Sequence, residues 1–367
     1  MYSVELAAPR VVRTIGLAVL LVACGSGDGS LADGGPSLGD TGADAIGSDA
    51  GAADAALDAA GAARDATDGD SGADSGVLMV LASMQNQPGE IAVDATNVYW
   101  TNFVANGAVM KCAIGGCGGS PTSLASAQTS PLGIAVDATD VYWANFVSNG
   151  TVVKCAISGC GGTPTVIASA QGVPAYVAVD RTSVYWTNNG SGTVVKCAIG
   201  GCGGNPTVLA AAQDGPYGIA VDASNVYWTT QHGGTVMKCA VGGCGGNPTT
   251  LVSGRVDPWH IAVDATSVYS RNGGMIEKCA IAGCGGNPTI LASGQDNPIG
   301  IVLDNASVYW ANFAPAGGVA KCAVGGCGGL PTTLVSPPDR VAGVAVDYTS
   351  VYFTSYGTGT VTKLTPK

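Results

Sequence analysis

The sequence predicts an all-β fold, a seven-bladed β-propeller closed by an N-terminal strand. Three observations carry that expectation. First, an aliphatic run ending in aspartate recurs at Asp94, Asp137, Asp180, Asp222, Asp264, Asp304 and Asp347, a period of 40 to 43 residues. Self-similarity near that period marks a radial repeat. Second, each aspartate is followed by a short polar turn and then by Tyr99, Tyr142, Tyr185, Tyr227, Tyr269, Tyr309 or Tyr352 in a run rich in β-branched and aromatic residues. Third, the ends of the repeat region complement each other. Residues 78–83 (LMVLAS) match the fourth-strand text at 331–336 (PTTLVS) without a blade before them, while the last repeat stops after a third strand at 359–364. Setting residues 78–82 on the edge of the last blade seals seven blades and hides two strand edges that would otherwise invite aggregation.

Taken in order, the elements begin with residues 1–23, which read as a removable signal peptide for export. Arg10 and Arg13 precede an apolar stretch at 14–23 (TIGLAVLLVA), too short for the roughly 20 apolar residues of a membrane-spanning helix. Residues 24–76 are a disordered acidic linker built from Gly, Ala, Asp, Ser and Thr, with eleven Asp against Arg64, a net charge of −10. Such a segment buries too little apolar surface to offset its ordering entropy. As a flexible coil it spans about 40 Å, stretched further by self-repulsion. Asp65, Asp68, Asp70 and Asp74 fit no calcium loop with a closing bidentate Glu.

Residues 77–367 are the propeller. They carry 14 acidic and 12 basic side chains, so the formal −11 of the chain belongs mostly to the linker. No basic stripe exists, which argues against nucleic acid as a partner. In the second repeat the strands are expected at 134–137, 141–145, 151–155 and 164–168, with Gly, Asn, Asp and Pro at every junction. The repeated aspartate is expected to open a turn and bond the backbone two residues on.

Leu21-Val22-Ala23-Cys24 resembles the lipobox of bacterial lipoproteins, which implies a lipidated Cys24 and, with Gly25 following, an outer-membrane anchor. Tyr99-Trp100-Thr101-Asn102 and Tyr185-Trp186-Thr187-Asn188 resemble the YWTD propeller repeats of lipoprotein-receptor ectodomains. The likeness spans most of residues 78–367 and extends to tandem-repeat propeller lipoproteins of bacteria. Here the fourth position is never Asp, Ser270 and Phe353 replace Trp, and there are seven repeats where the receptor family has six. The resemblance implies an extracellular propeller and names no ligand.

Twelve cysteines form six C-x4-C pairs: Cys112–Cys117, Cys155–Cys160, Cys197–Cys202, Cys239–Cys244, Cys279–Cys284 and Cys322–Cys327. In an exported protein these read as disulfides. Zinc is the alternative, but pairs placed on the rim, where blades splay apart, would not share an ion, so no metal is expected.

Function is sought where the repeat fails. Four residues before the aspartate stand Gly133, Gly218, Gly300 and Gly343, but Glu90, Tyr176 and His260 in the other three blades, with Tyr217 and Trp259 alongside. The fifth repeat reads Arg255-Val256-Asp257-Pro258-Trp259-His260 and has Ser270-Arg271 in place of the aromatic motif. Together with His232 from the preceding repeat, these residues are expected to gather at one channel mouth as a ligand-binding site. Phe103, Phe146 and Phe313 would add apolar contact on the same face. No Ser-His-Asp arrangement, HExxH or phosphate loop is present. The expectation is a non-enzymatic, monomeric binding module without a cofactor, taking a protein or glycan ligand and touching the membrane only through its lipid. A channel-mouth lyase or hydrolase centred on Glu90 and His260, or a passive surface scaffold, are the alternatives.

Overall fold

The structure, a computed structural model, describes residues 76–336 and 339–367. The expected signal peptide, Cys24 and all of the expected acidic linker but Gly76 lie outside the described residues. Strand β1 (Val77–Ala82) is followed by β2 (Pro88–Val93), β3 (Asn97–Asn102), β4 (Gly107–Ala113) and β5 (Thr122–Gln128). β2 to β5 form the first of seven four-stranded antiparallel sheets, and five more sheets follow in the same consecutive order. In the seventh, β1 occupies the outer place, pairing with Thr360–Thr365 in the register Val77↔Thr365 to Ala82↔Val361. The seven-bladed closure expected from residues 78–82 is therefore present. The inner strands contact one another in a full round, the last (Val341–Val346) against β2.

The repeated motif explains why each blade forms. Asp94 Oδ1 accepts hydrogen bonds from the backbone N–H groups of Thr96 and Asn97, at 2.7 Å each, and Oδ2 accepts the Tyr99 hydroxyl at 2.7 Å. The same clasp recurs at all seven aspartates, for example 2.6 Å between Tyr352 and Asp347. One carboxylate thus closes the inner hairpin and fixes a tyrosine buried in the core. Burial raises both partners, and for the tyrosines the neighbouring carboxylate adds to it, pushing Tyr185 and Tyr309 up to about 12. For the aspartates the hydrogen bonds outweigh burial and hold the carboxyls low; Asp304, also bonded by Lys367, is lowered to about 2.

Packing joins each blade to the next. Each apolar cluster is shared by two neighbours: Tyr99, Val109 and Leu124 of blade 1 pack with Val141, Trp143 and Val153 of blade 2. Polar bolts cross the same gaps. Lys111 Nζ donates to the Ile157 carbonyl at 2.7 Å, Lys238 to Ile281 at 2.7 Å, and Lys363 to Ile114 at 3.1 Å across the closing seam. Thr101 and Thr354 hydroxyls donate to the inner-strand carbonyls of Leu132 and Gly89. The five tryptophans of the repeated motif are anchored too, each indole N–H reaching a glutamine that precedes its blade's inner strand, as Trp143 reaches Gln128 at 3.0 Å.

All six cysteine pairs are disulfides. They sit between the third and fourth strands, as the sequence suggested, and one pair belongs to each apolar cluster that holds any. Each shares an apolar cluster with the outer strand of the preceding blade; Cys160, for instance, lies 3.5 Å from the Leu124 carbonyl. Blade 7 lacks a pair, and Leu334 of blade 6 is accordingly only half-buried where its counterparts Leu124, Leu209 and Leu291 are buried.

Two outcomes follow. Replacing Cys155 and Cys160 together by serine should cost about 2 kcal/mol from loop-closure entropy, seen as a lower denaturant midpoint at unchanged slope. Because the clasp aspartates are held below their ordinary 3.8, their stabilisation is complete above that value and is lost as pH falls through the folded value. Urea melts should therefore weaken steeply between about pH 4 and pH 2, and a flat profile there would remove the clasp as a source of stability.

Candidate functional site

Each blade is an up-and-down meander, so the entry to every inner strand and the turn between second and third strands share one face. The aspartate turns and disulfide loops lie on the other. At the entry, four residues before the aspartate, glycine is required where neighbouring inner strands crowd. A Cβ on Gly133 would lie 2.5 Å from Tyr176 Cα, and one on Gly218 would lie 2.2 Å from the Trp259 carbonyl oxygen. Blades 1, 3 and 5 carry side chains there instead, and these converge.

Tyr176 Oη lies 2.6 Å from Glu90 Oε1 and 2.7 Å from His260 Nε2, and His260 Nε2 lies 3.2 Å from the same Glu90 oxygen. The Glu90 and His260 side chains are 15% and 8% exposed. A consistent proton arrangement has Tyr176 donating to Glu90 while His260 donates from Nε2, because a bare Nε2 would face the carboxylate oxygen lone pair to lone pair. Nδ1 of His260 is buried and has no partner. Burial, and after it the Glu90 charge, raises the Tyr176 phenol well above its usual range. Carboxylate, phenol and imidazole so joined can hold and relay a proton.

An aromatic path runs from this triplet across the face. Phe103 lies 6.4 Å from Phe146, Phe146 lies 6.2 Å from Tyr217, and Tyr217 lies 5.1 Å from Tyr176 and 5.5 Å from Trp259, between ring centroids. The Arg271 guanidinium lies 5.2 Å over the Trp259 ring. Burial, with a lesser push from Glu90, raises the Tyr217 phenol as well.

Of the residues singled out by sequence, Glu90, Tyr176, Tyr217, Trp259, His260 and Arg271 are thus brought together. Asp257 is exposed, in a left-handed backbone conformation (φ 44°) at the rim of the group. His232 stands apart, its side chain 62% exposed, with Asp214 at 3.8 Å. Arg255 turns instead to Glu277, at 2.9 Å. Phe313 joins a separate pair with Tyr356, at 5.6 Å.

Glu277 was missed by sequence reasoning, and its role explains the fifth blade. Ser270 stands at the tryptophan position opposite Glu277, where other blades place Met110, Val153, Val195 or Met237. Arg255 stands 15 residues before Ser270, where other blades place the glutamine that holds the indole. An indole–amide bond has been exchanged for a buried ion pair. The signal was available: an acidic residue in a third strand whose counterparts are mostly apolar.

Among the described residues no group of three or more His, Cys, Asp or Glu is placed to hold a metal ion. No family model and no curated protein matches the chain. Solved propellers are similar in fold. A catalytically inactive histidine-to-alanine variant of virginiamycin B lyase from Staphylococcus aureus, with quinupristin, is 12% identical with a TM-score of 0.65, covering 80% of this chain and 100% of that one. The WD40 β-propeller domain of Doa1 is 12% identical with a TM-score of 0.62, over 79% of this chain and 97% of that one. A YWTD-type propeller in the nidogen/laminin complex is 18% identical with a TM-score of 0.50, over 63% and 89%.

Tyr176→Phe should destabilise the propeller by about 1–3 kcal/mol, since it leaves Glu90 buried and short of its donor. Chemical denaturation reads this directly, and a neutral change would mean that the hydroxyl is not what holds the triplet.

Proposed function

We propose that the chain is a cell-envelope lipoprotein, anchored to the outer membrane through Cys24, whose propeller binds a protein ligand at the aromatic mouth. The observation that carries this reading is the connected run of Phe103, Phe146, Tyr217 and Trp259 ending under Arg271. Tyr, Trp and Arg are the residue types that dominate binding energy at protein interfaces. They stand on one face of a rigid ring, the kind of support that keeps ordering costs low on association. The acidic linker would hold that face away from the membrane, leaving lipid contact to the anchor alone. The propeller acts as a monomer, with no nucleic-acid partner and no cofactor.

A second reading rests on the triplet. Glu90, Tyr176 and His260 meet within hydrogen-bonding reach, as general acid–base chemistry requires. A lyase of similar fold becomes catalytically inactive when one histidine is replaced by alanine. On this reading His260 takes or gives the proton in a lyase or hydrolase, and the aromatic path holds the substrate.

The test uses the full lipidated chain in detergent, exposed to outer-membrane and extracellular fractions. A protein retained by the wild type should be lost from a Tyr217→Ala, Trp259→Ala variant, with affinity reduced tenfold or more, about 1.4 kcal/mol. Retention that survives protease treatment of the fraction would point to a glycan instead. Turnover of a retained molecule that ceases in His260→Ala would establish the second reading over the first.

A further inference from the structure

We infer that the segment bound at the aromatic mouth presents a carboxylate, and that Arg271 and the Trp259 indole N–H receive it. This rests on reading that mouth as a protein-binding site. At the position of Arg271 the other blades carry Thr101, Thr187, Thr229 and Thr354, or Ala144 and Ala311. The threonines fasten blade to blade through a hydroxyl on an inner-strand carbonyl, as Thr229 does on Trp259. Threonine is therefore sufficient for the structural task, and arginine exceeds it.

The guanidinium sits in an environment that does not balance its charge. Arg271 is 7% exposed, and its hydrogen bond to the Pro298 carbonyl is long, at 3.4 Å. Among the described residues no carboxylate lies within 4.0 Å of it, whereas its neighbour Arg255 is neutralised by Glu277. Burial lowers the Arg271 pKa, and exposed Asp257 offsets this only at longer range. A buried cation left without a counterion is costly, and structures seldom keep one without a use. The nitrogen Nε of Arg271 is buried with no acceptor, and so is Nε1 of Trp259, the ring over which the guanidinium lies. Both unsatisfied groups are donors. A cation with an unsatisfied N–H of its own and a second donor beside it calls for an anionic, oxygen-bearing acceptor, and the fork geometry of a guanidinium suits a carboxylate. With Tyr217 and Trp259 supplying apolar contact, the matching group is a carboxylate next to an aromatic or bulky apolar side chain, as at the C-terminus of a peptide.

N-acetylphenylalanine and N-acetylphenylalaninamide have nearly the same shape and differ in that charge, so they serve as probes on the full chain at neutral pH. The wild type should hold the acid at least tenfold more tightly than the amide by calorimetry or ligand-observed NMR. Arg271→Thr, which restores the residue of four sibling blades and so should fold, is expected to bind both probes equally. Trp259→Phe keeps a ring but removes the donor, and should narrow the preference without abolishing it. Equal binding of the two probes by the wild type would overturn the inference while leaving the aromatic mouth intact. Binding of neither would remove the aromatic reading and the inference with it. A preference for the acid that persists in Arg271→Thr would place the anion elsewhere and overturn the assignment. Thermal melting separates the structural alternative: an Arg271→Thr protein that melts well below the wild type would make the arginine a fastener and count against the inference.

Discussion

Seven twisted sheets set radially leave one seam, where the first and last strands meet. Here it is fastened by several independent means: the ladder between β1 and Thr360–Thr365, the Lys363 ammonium on the Ile114 carbonyl, the Thr354 hydroxyl on Gly89, and a cluster joining Leu81 and Trp100 to Tyr352 and Val361. The radius of the inner ring depends on that seam. Were it open, the inner strands would lose the crowding that demands glycine at 133, 218 and 343, and three side chains from blades 1, 3 and 5 would no longer reach one another. The channel-mouth triplet is thus a consequence of closure rather than of any local motif. It is built from residues 84 to 170 positions apart that only a sealed ring brings within 3.2 Å.

Much of the fold was legible because its information is local and repeated. The period gave the blades, the punctuation gave the strands, and the unmatched ends gave the closure. The aspartate turn was legible for the same reason, since its donors lie two and three residues away. What escaped was contact between blades. The lysines of the third strands look like ordinary exposed charges in sequence, and nothing in one repeat reveals that their partner is a carbonyl 43 to 46 residues on. What the disulfide loops lean on escaped for the same cause, as the leucine under each belongs to the blade before.

The candidate site was legible as a set of exceptions but not as a geometry. Glu90, Tyr176 and His260 stood out because their equivalents are glycine, yet that they meet is a matter of ring radius. Arg255 and His232 stood out equally and lie elsewhere. Arg255 belongs to a compensated exchange in which Ser270 vacates the indole's place and Glu277 takes a cross-strand position beside it. A pattern of exceptions cannot by itself separate a residue that departs to bind something from one that departs to repair a neighbour. The difference lies in satisfaction: the Arg255 charge is answered within the fold, and that of Arg271 is not.

The alternation of glycine and side chain around the mouth has a further consequence. Seven equivalent blades would offer seven equivalent footholds and a ligand no single orientation. Filling positions 90, 176 and 260 while leaving Gly300 and Gly343 as adjacent bare positions breaks that symmetry, because an odd ring cannot alternate without a fault. The mouth thereby acquires a front and a back.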